Sequence, residues 1–303
     1  MDRKFSSVSQ ALSRFRGWIQ AGATLLTNLH LPNFLKGGLY QGAGKTVCVP
    51  GLNCYSCPAA SGACPIGAFQ AVVGSSKFSF SYYITGFLIL LGVLLGRFIC
   101  GFLCPFGWFQ ELLHKIPTKK FSTKKLKPLR YLKYAVLLVM VFLLPAFLVN
   151  DVGMGDPFFC KYLCPQGVLE GAIPLSLTNS GIRAALGSLF TWKFSLLLAV
   201  IVLSIVFYRP FCKWLCPLGA FYALFNRVSL FQMKVDKNKC VSCGKCAKAC
   251  KMDVDVTKTP NHTECIRCGM CIRACPTNAV SFRYGFGDGK KEPVNEIKTE
   301  ETK

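Results

Sequence analysis

The sequence predicts a mostly α-helical membrane protein: a four-helix transmembrane bundle with an internal pseudo-two-fold repeat, followed by a small α+β domain. Composition, long apolar segments and a repeated cysteine motif support this prediction. Hydrophobic residues make up 52% of the 303-residue chain and charged residues only 17%, which is too apolar for an ordinary soluble domain. We assign the bundle to residues 1–232, the small domain to 233–285 and a disordered polar tail to 286–303.

Apolar length decides the transmembrane segments, because a helix needs about 20 residues to cross a bilayer. The four expected spans are residues 16–35, 80–99, 131–149 and 190–208. The first also contains a glutamine, an asparagine, a histidine and a proline. A helix lying on the membrane interface is therefore an open alternative for that segment.

Loop charges predict the orientation of the bundle. Segment 115–130 holds seven lysine or arginine residues and no acid, whereas the connection 150–190 has more acids than bases. By the positive-inside rule, the first loop and both termini are cytoplasmic, so we expect a multi-pass protein of the cytoplasmic membrane. The same distribution explains the net charge of +22 without a nucleic-acid partner.

A cysteine followed by proline, any residue and glycine occurs four times. The copies are Cys64–Gly67, Cys104–Gly107, Cys164–Gly167 and Cys216–Gly219. They alternate between two classes along the chain, as an internal duplication would produce. In the last three copies a second cysteine stands four residues upstream, a spacing that suggests paired metal ligands.

The expected topology divides these cysteines between the two membrane faces. The inner set is Cys100, Cys104, Cys212 and Cys216, and the outer set is Cys57, Cys64, Cys160 and Cys164. Four thiolates are what a [4Fe-4S] cluster requires, so we expect one cluster at each face. Cys48 and Cys54 also lie on the outer side and are alternatives to Cys57 or Cys64, a disulfide pair or free thiols.

The small domain contains two CxxCxxCxxxC runs, the spacing of two-cluster bacterial ferredoxins. In that pattern the fourth cysteine of each run binds the other cluster. Cluster one is then held by Cys240, Cys243, Cys246 and Cys275, and cluster two by Cys265, Cys268, Cys271 and Cys250. Structural zinc is the alternative for such CxxC pairs.

Membrane spans that end in CxxxCP, namely Cys100 to Pro105 and Cys212 to Pro217, precede this two-cluster ferredoxin domain. The combination resembles the NapH-type quinol dehydrogenase membrane components and the related polyferredoxin-like MauN-type and NosR-type proteins. The resemblance implies electron transfer between the membrane quinone pool and a redox partner. The outer cysteines depart from that pattern and favour a longer series of iron-sulfur clusters.

The sequence thus predicts a membrane-bound electron carrier, an oxidoreductase component in which iron bound by these cysteines does the chemistry and no side chain is catalytic. About four [4Fe-4S] clusters are expected, and quinone is a further candidate cofactor. The expected partners are membrane lipid and either a cytosolic ferredoxin or flavodoxin or an extracytoplasmic reductase. The alternative function is a redox-sensing regulator or maturation factor that uses the same clusters without steady-state electron transfer.

Overall fold

A computed structural model describes residues 2–75, 81–151 and 153–285, with side chains from residue 7 onward. The chain is mostly helical and ends in a small α+β domain. The expected disordered tail, 286–303, lies outside the described residues.

The first part of the chain, up to the basic loop, forms short helices joined by long turns. Its α-helices are α1 (Asp2–Arg14), α2 (Arg16–Thr27), α3 (Asn33–Lys36), α4 (Pro65–Gly74), α5 (Tyr82–Leu95), α6 (Phe98–Phe102) and α7 (Pro105–His114), with a 3₁₀ turn at Ala43–Thr46. Helices α4 and α7 begin at the proline of a cysteine motif. Proline suits the first helical position because its φ angle is already helical and its missing N–H would have no helical partner there.

The second part repeats this layout around two longer helical segments. Its α-helices are α8 (Leu132–Val136), α9 (Leu144–Phe147), α10 (Ile173–Thr178), α11 (Ser180–Ala184), α12 (Ser188–Val206), α13 (Pro210–Trp214), α14 (Pro217–Phe225), α15 (Lys245–Ala249) and α16 (Met270–Ala274). A 3₁₀ segment covers Lys124–Tyr131, and π-helical turns cover Leu137–Leu143, Phe159–Leu163 and Gly167–Ala172.

Two continuous helical segments in the described residues, Lys124–Phe147 and Ser188–Val206, are long and apolar enough to cross a membrane. They correspond to the expected spans 131–149 and 190–208. The second has 19 residues, which rise about 28 Å, close to the hydrocarbon thickness of a bilayer. Only 17% of its apolar window is buried, so most of its side chains are free to face lipid rather than a protein core. These helices indicate membrane association.

The other two expected spans coincide with shorter helices. Helix α2 has 12 residues and places Gln20 in the interior, where its amide donates to the Gly101 carbonyl at 2.9 Å. Helix α5 has 14 residues and ends at Leu95. The next residue, Gly96, has a φ of +53° and turns the chain toward the buried Arg97. Helix length therefore does not establish a four-helix transmembrane bundle.

The C-terminal domain is built on one antiparallel strand pair, β1 (Phe231–Val235) and β2 (Val280–Tyr284). The N-terminal helix α1 packs against this domain, with the Ser9 hydroxyl accepting from the Phe282 N–H at 3.0 Å and Gln10 donating to Asn278 at 2.7 Å. Helix α1, which the sequence assigned to the bundle, therefore packs against the small domain.

Candidate metal centres

The inner set of cysteines forms one buried site. Cys100 lies in α6 and Cys212 in α13, while Cys104 and Cys216 directly precede α7 and α14. Burial raises the pKa of Cys216 well above its usual value, and the other three thiols raise it further because they lie close by. The structure thus brings together the four expected cysteines, which we call the inner site.

Two buried arginines frame the inner site with pseudo-two-fold symmetry. Arg97 and Arg209 each stand three residues before the first cysteine of a CxxxCP motif. Each guanidinium reaches across to the other motif, where Arg97 donates to the Cys212 carbonyl at 3.4 Å and Arg209 to the Cys100 carbonyl. A side chain at Gly107 would collide with Arg209, since a Cβ there would lie 2.8 Å from its Nη1. The motif glycine therefore makes room for the cation.

A second group of thiols borders a cavity of about 540 Å³. Its cysteines are Cys48, Cys54, Cys64, Cys160 and Cys164. Burial raises the pKa of Cys164, and the nearby thiols of Cys160, Cys54 and Cys64 add to that shift, in this order. Cys57, expected as a ligand, does not border this cavity and instead contacts Asn28 Oδ1 at 3.6 Å. Of the two expected alternatives, Cys54 lies near Cys64, Cys160 and Cys164, whereas Cys48 interacts with Cys64 alone among these thiols. We call Cys54, Cys64, Cys160 and Cys164 the outer site.

The ferredoxin-like domain brings the cysteines expected for cluster two around one small cavity of about 20 Å³. Cys250 from the first run and Cys265, Cys268 and Cys271 from the second all border it. Of the cluster-one set, Cys246 lies close enough to Cys275 for their charges to interact. Cys240 and Cys243 lie on the loop before α15, where Cys240 is partly exposed and Cys243 is exposed.

The arrangement of the thiols suits iron-sulfur cages better than single ions. No group of three or more histidine, cysteine or acidic side chains among the described residues is close enough to hold one metal ion. Tetrahedral zinc needs all four ligands about 2.0–2.3 Å from one point, whereas each thiolate of a [4Fe-4S] cluster binds a different iron. Burial also raises the pKa of Cys104 to about 12, so this thiol loses its proton at neutral pH only when a metal binds it.

The distribution of charge around the inner site also favours an iron-sulfur cluster. Three carboxylates each bind two cations: Glu111 binds Arg16 and Arg209, Asp253 binds Arg130 and Lys213, and Glu264 binds Arg97 and Lys133. Burial disfavours ionised Glu264, but its two cations outweigh that effect and lower its pKa to about 2. These networks hold three more cations than acids, in side chains at most 12% exposed. A cluster bound by four thiolates is a net anion and would offset this excess.

Two glycines permit close contact between the ferredoxin-like domain, the inner site and the loop that carries Cys48 and Cys54. Gly101, next to Cys100, lies against the loop between Cys265 and Cys268, and a Cβ on it would be 2.3 Å from the Ile266 carbonyl oxygen. Gly51, between Cys48 and Cys54, lies against the inner site, and a Cβ on it would be 2.8 Å from the Cα of Cys104. Only glycine permits these approaches. The inner site thus has the ferredoxin-like domain on one side and the loop between Cys48 and Cys54, which we call the outer loop, on the other.

Sequence reasoning missed the polar residues that surround the thiols. An alignment of the four motifs shows arginine three residues before Cys100 and Cys212, and glutamine six residues after Cys64 and Cys104. Glu170 occupies the same later position after Cys164, and its carboxylate accepts from the Cys54 N–H at 2.9 Å. The repeat therefore contained a signal for these residues.

Comparison with known proteins agrees with this chemistry. A family model described as a 4Fe-4S binding domain matches residues 62–82, 79–124, 133–173 and 189–238, and a second 4Fe-4S binding domain model matches 233–254 and 259–281. The chain belongs to this 4Fe-4S binding domain family. An uncharacterized protein of Methanocaldococcus jannaschii is 34% identical over 209 residues, 66% of this chain and 77% of that protein. No solved structure matches.

Two relatives with more informative names match over shorter stretches. The putative electron transport protein YccM of Escherichia coli is 28% identical over 56% of this chain and 45% of its own length. The methylamine utilization ferredoxin-type protein MauN of Paracoccus denitrificans is 28% identical over 61% of this chain and 56% of its own length. The resemblance to ferredoxin-type electron transport proteins is therefore confirmed, whereas the narrower NapH-type assignment stays a prediction.

Proposed function

We propose that the protein carries electrons through a series of four [4Fe-4S] clusters between its cytoplasmic ferredoxin domain and the outer side of the membrane. The proposed ligands are the two ferredoxin sets, the inner site, and an outer site in which Cys54 replaces the expected Cys57. When bound, the clusters supply one-electron oxidation and reduction. The chain holds them in place, excludes water and balances their charge.

The pair of glycine contacts is the observation that carries this proposal. Gly101 brings the backbone beside Cys100 against the cluster-two loop, and Gly51 brings the outer loop against Cys104. Lys213, next to Cys212, strengthens the first contact by donating to the Lys251 carbonyl at 2.7 Å. These contacts support the order that a relay requires, namely ferredoxin domain, inner site and outer site.

For the membrane, we propose that helices α2 and α5 complete a four-helix bundle with the two long segments, with both termini cytoplasmic. Exposed apolar side chains on the short helices support this placement, for example Trp18, Leu26 and Leu90, which are 80%, 68% and 56% exposed. The basic loops beside the ferredoxin domain then face the cytoplasm, where they suit an acidic soluble electron carrier.

A cavity of about 440 Å³ supports a quinone as one terminal partner. Its apolar lining comes from Ala21, Leu25, Leu31 and Phe34. The remaining residues that border it are Thr24, Asn28, Cys57, Trp108 and Glu170. Burial raises the pKa of Glu170 to about 7, and its carboxylate also contacts the backbone of the proposed ligand Cys54. A ring with polar oxygens on an apolar tail matches a cavity of this character.

The relay is tested by separating its parts. The full chain is purified anaerobically in lipid nanodiscs and mixed with a reduced soluble ferredoxin, and freeze-quench EPR follows each cluster. Gly101→Val should leave reduction of the ferredoxin domain unchanged and slow reduction of both membrane sites at least about tenfold. Gly51→Val should slow only the outer site. Gly86→Val is the control, since nothing lies within 4 Å of a Cβ at that position.

The outcomes distinguish the proposal from its rival. Iron in the ferredoxin domain alone, or equal rates of cluster reduction in all variants, would refute the relay. Reducible clusters at all sites without turnover in the presence of quinol or an outer acceptor would favour the redox-sensing function.

A further inference from the structure

Two buried glutamines make the same set of contacts in the two halves of the membrane region. Gln70 on α4 donates to Cys160 Sγ at 3.2 Å, and Gln110 on α7 donates to Cys212 Sγ at 3.2 Å. Each amide nitrogen also donates to the carbonyl four residues earlier in its helix, at 3.2 and 3.3 Å. Both glutamine side chains are fully buried.

The backbone fixes the orientation of both amides. Gln70 Oε1 accepts from the Phe159 N–H at 2.9 Å, and Gln110 Oε1 accepts from the Phe211 N–H at 3.2 Å. A backbone N–H can only donate, so the amide oxygen must face it and the NH₂ group must face the sulfur. In each half, the hydrogen-bonding residue directly precedes the cysteine that receives the amide. The same side chain therefore positions the loop and donates to the thiol.

Within the part of the chain that the structure describes, a hydrogen bond from glutamine to cysteine sulfur occurs once at each site. Gln70 and Gln110 both stand six residues after the cysteine of their own motif and reach a cysteine of the paired motif. The equivalent residues of the other two motifs make different contacts, since Glu170 binds the Cys54 N–H and Tyr222 donates to the Pro50 carbonyl at 3.1 Å. The outer and inner sites each receive one neutral side-chain donor.

We propose that Gln70 and Gln110 set the reduction potentials of the outer and inner sites respectively. This inference rests on the proposed function, because it requires a cluster at each site. A reduced cluster carries one more negative charge than an oxidised one, so an N–H donor to its thiolate stabilises the reduced form. Each amide therefore raises the potential of its own site and favours passage of electrons to it.

The experiment is a redox titration by EPR of the full chain with matched variants. Gln70→Met keeps the side-chain length and removes the donor, and it should lower the potential of the outer site alone. Gln110→Met should do the same to the inner site alone. The expected change is about tenfold in the ratio of oxidised to reduced cluster at a fixed potential, about 59 mV for a one-electron couple. Tyr222→Phe is the control, because it removes a buried hydroxyl without a bond to sulfur.

A second measurement covers variants that fail to assemble. In the unaltered protein labelled with ¹⁵N at glutamine side chains only, pulsed EPR should detect nitrogen coupling at both reduced membrane sites. Its absence at sites that contain clusters would overturn the inference, as would unchanged potentials in both methionine variants. A native chain without iron at these sites would refute the proposed function instead.

Discussion

At the residue scale, the cysteines are the candidate ligands, and the charged residues beside them hold the motifs together. Arg97 and Arg209 cross between motifs, and three acids share six cations around them. Removing one acid would leave two like charges together in a poorly hydrated place.

Glu264→Gln should therefore loosen the ferredoxin domain from the membrane region. Arg97 and Lys133 would lose their shared carboxylate, which lies 3.0 and 2.5 Å from them, and the expected loss of stability is about 3 kcal/mol. Anaerobic thermal unfolding in detergent measures it. Asp236→Asn breaks the exposed pair with Lys239 and should have little effect on stability, because solvent screens that pair. Equal effects of the two variants would contradict this account of the network.

The outer ligand set gives a second prediction at the same scale. Cys54→Ser should disturb or delete the outer cluster, because Cys54 borders the cavity with Cys64, Cys160 and Cys164. Cys57→Ser should leave iron content and EPR signals unchanged, because that thiol contacts Asn28 outside the cavity. Iron and sulfide assays on both variants test this prediction. Loss of iron only in Cys57→Ser would support Cys57 as the ligand, as the sequence predicted.

At the scale of elements, each long helix must present apolar side chains to lipid on one side and pack toward the candidate metal sites on the other. Helix α12 does so with few buried residues: Leu197, Val200 and Ser204 face inward, whereas Leu198 and Val202 are about half exposed. The shorter helices instead end early, as α5 does at Leu95, and the chain then turns at Gly96 toward the motif residues.

A charge in the exposed middle of α12 should impair membrane integration. Leu198→Lys places an ammonium near the centre of the span, which costs about 2.5–3.5 kcal/mol on insertion scales. The membrane fraction of expressed protein should fall accordingly. Leu189→Lys, at the start of the helix, should have little effect because its ammonium can reach the membrane interface. Similar membrane fractions for the two variants would argue against a transmembrane α12.

At the scale of the whole molecule, one apolar core contains cysteines of the inner site, the outer site and the second ferredoxin run. Around it, cations exceed acids, and the proposed clusters supply the missing negative charge. Metal content and the docking of the ferredoxin domain should therefore be coupled.

The loaded chain should contain about sixteen irons. Removal of iron with a chelator under reducing conditions should make the ferredoxin domain more sensitive to protease, because the excess cations at the junction would then repel one another. Limited proteolysis of loaded and stripped protein, followed by mass mapping, measures this. Protection unchanged after iron removal would contradict the charge-balance argument.

By itself, the sequence determined the chemistry: thiol spacing specifies iron-sulfur ligands, and the family match confirms a 4Fe-4S binding protein. It also identified the two long apolar segments, because hydropathy and length are local properties. Tertiary structure decided that Cys54 rather than Cys57 borders the cavity with Cys64, Cys160 and Cys164, that α1 packs on the ferredoxin domain, and that Gly51 and Gly101 let their segments approach closely. Each of these depends on contacts between segments far apart in the chain, and spacing along the chain does not encode distances across it.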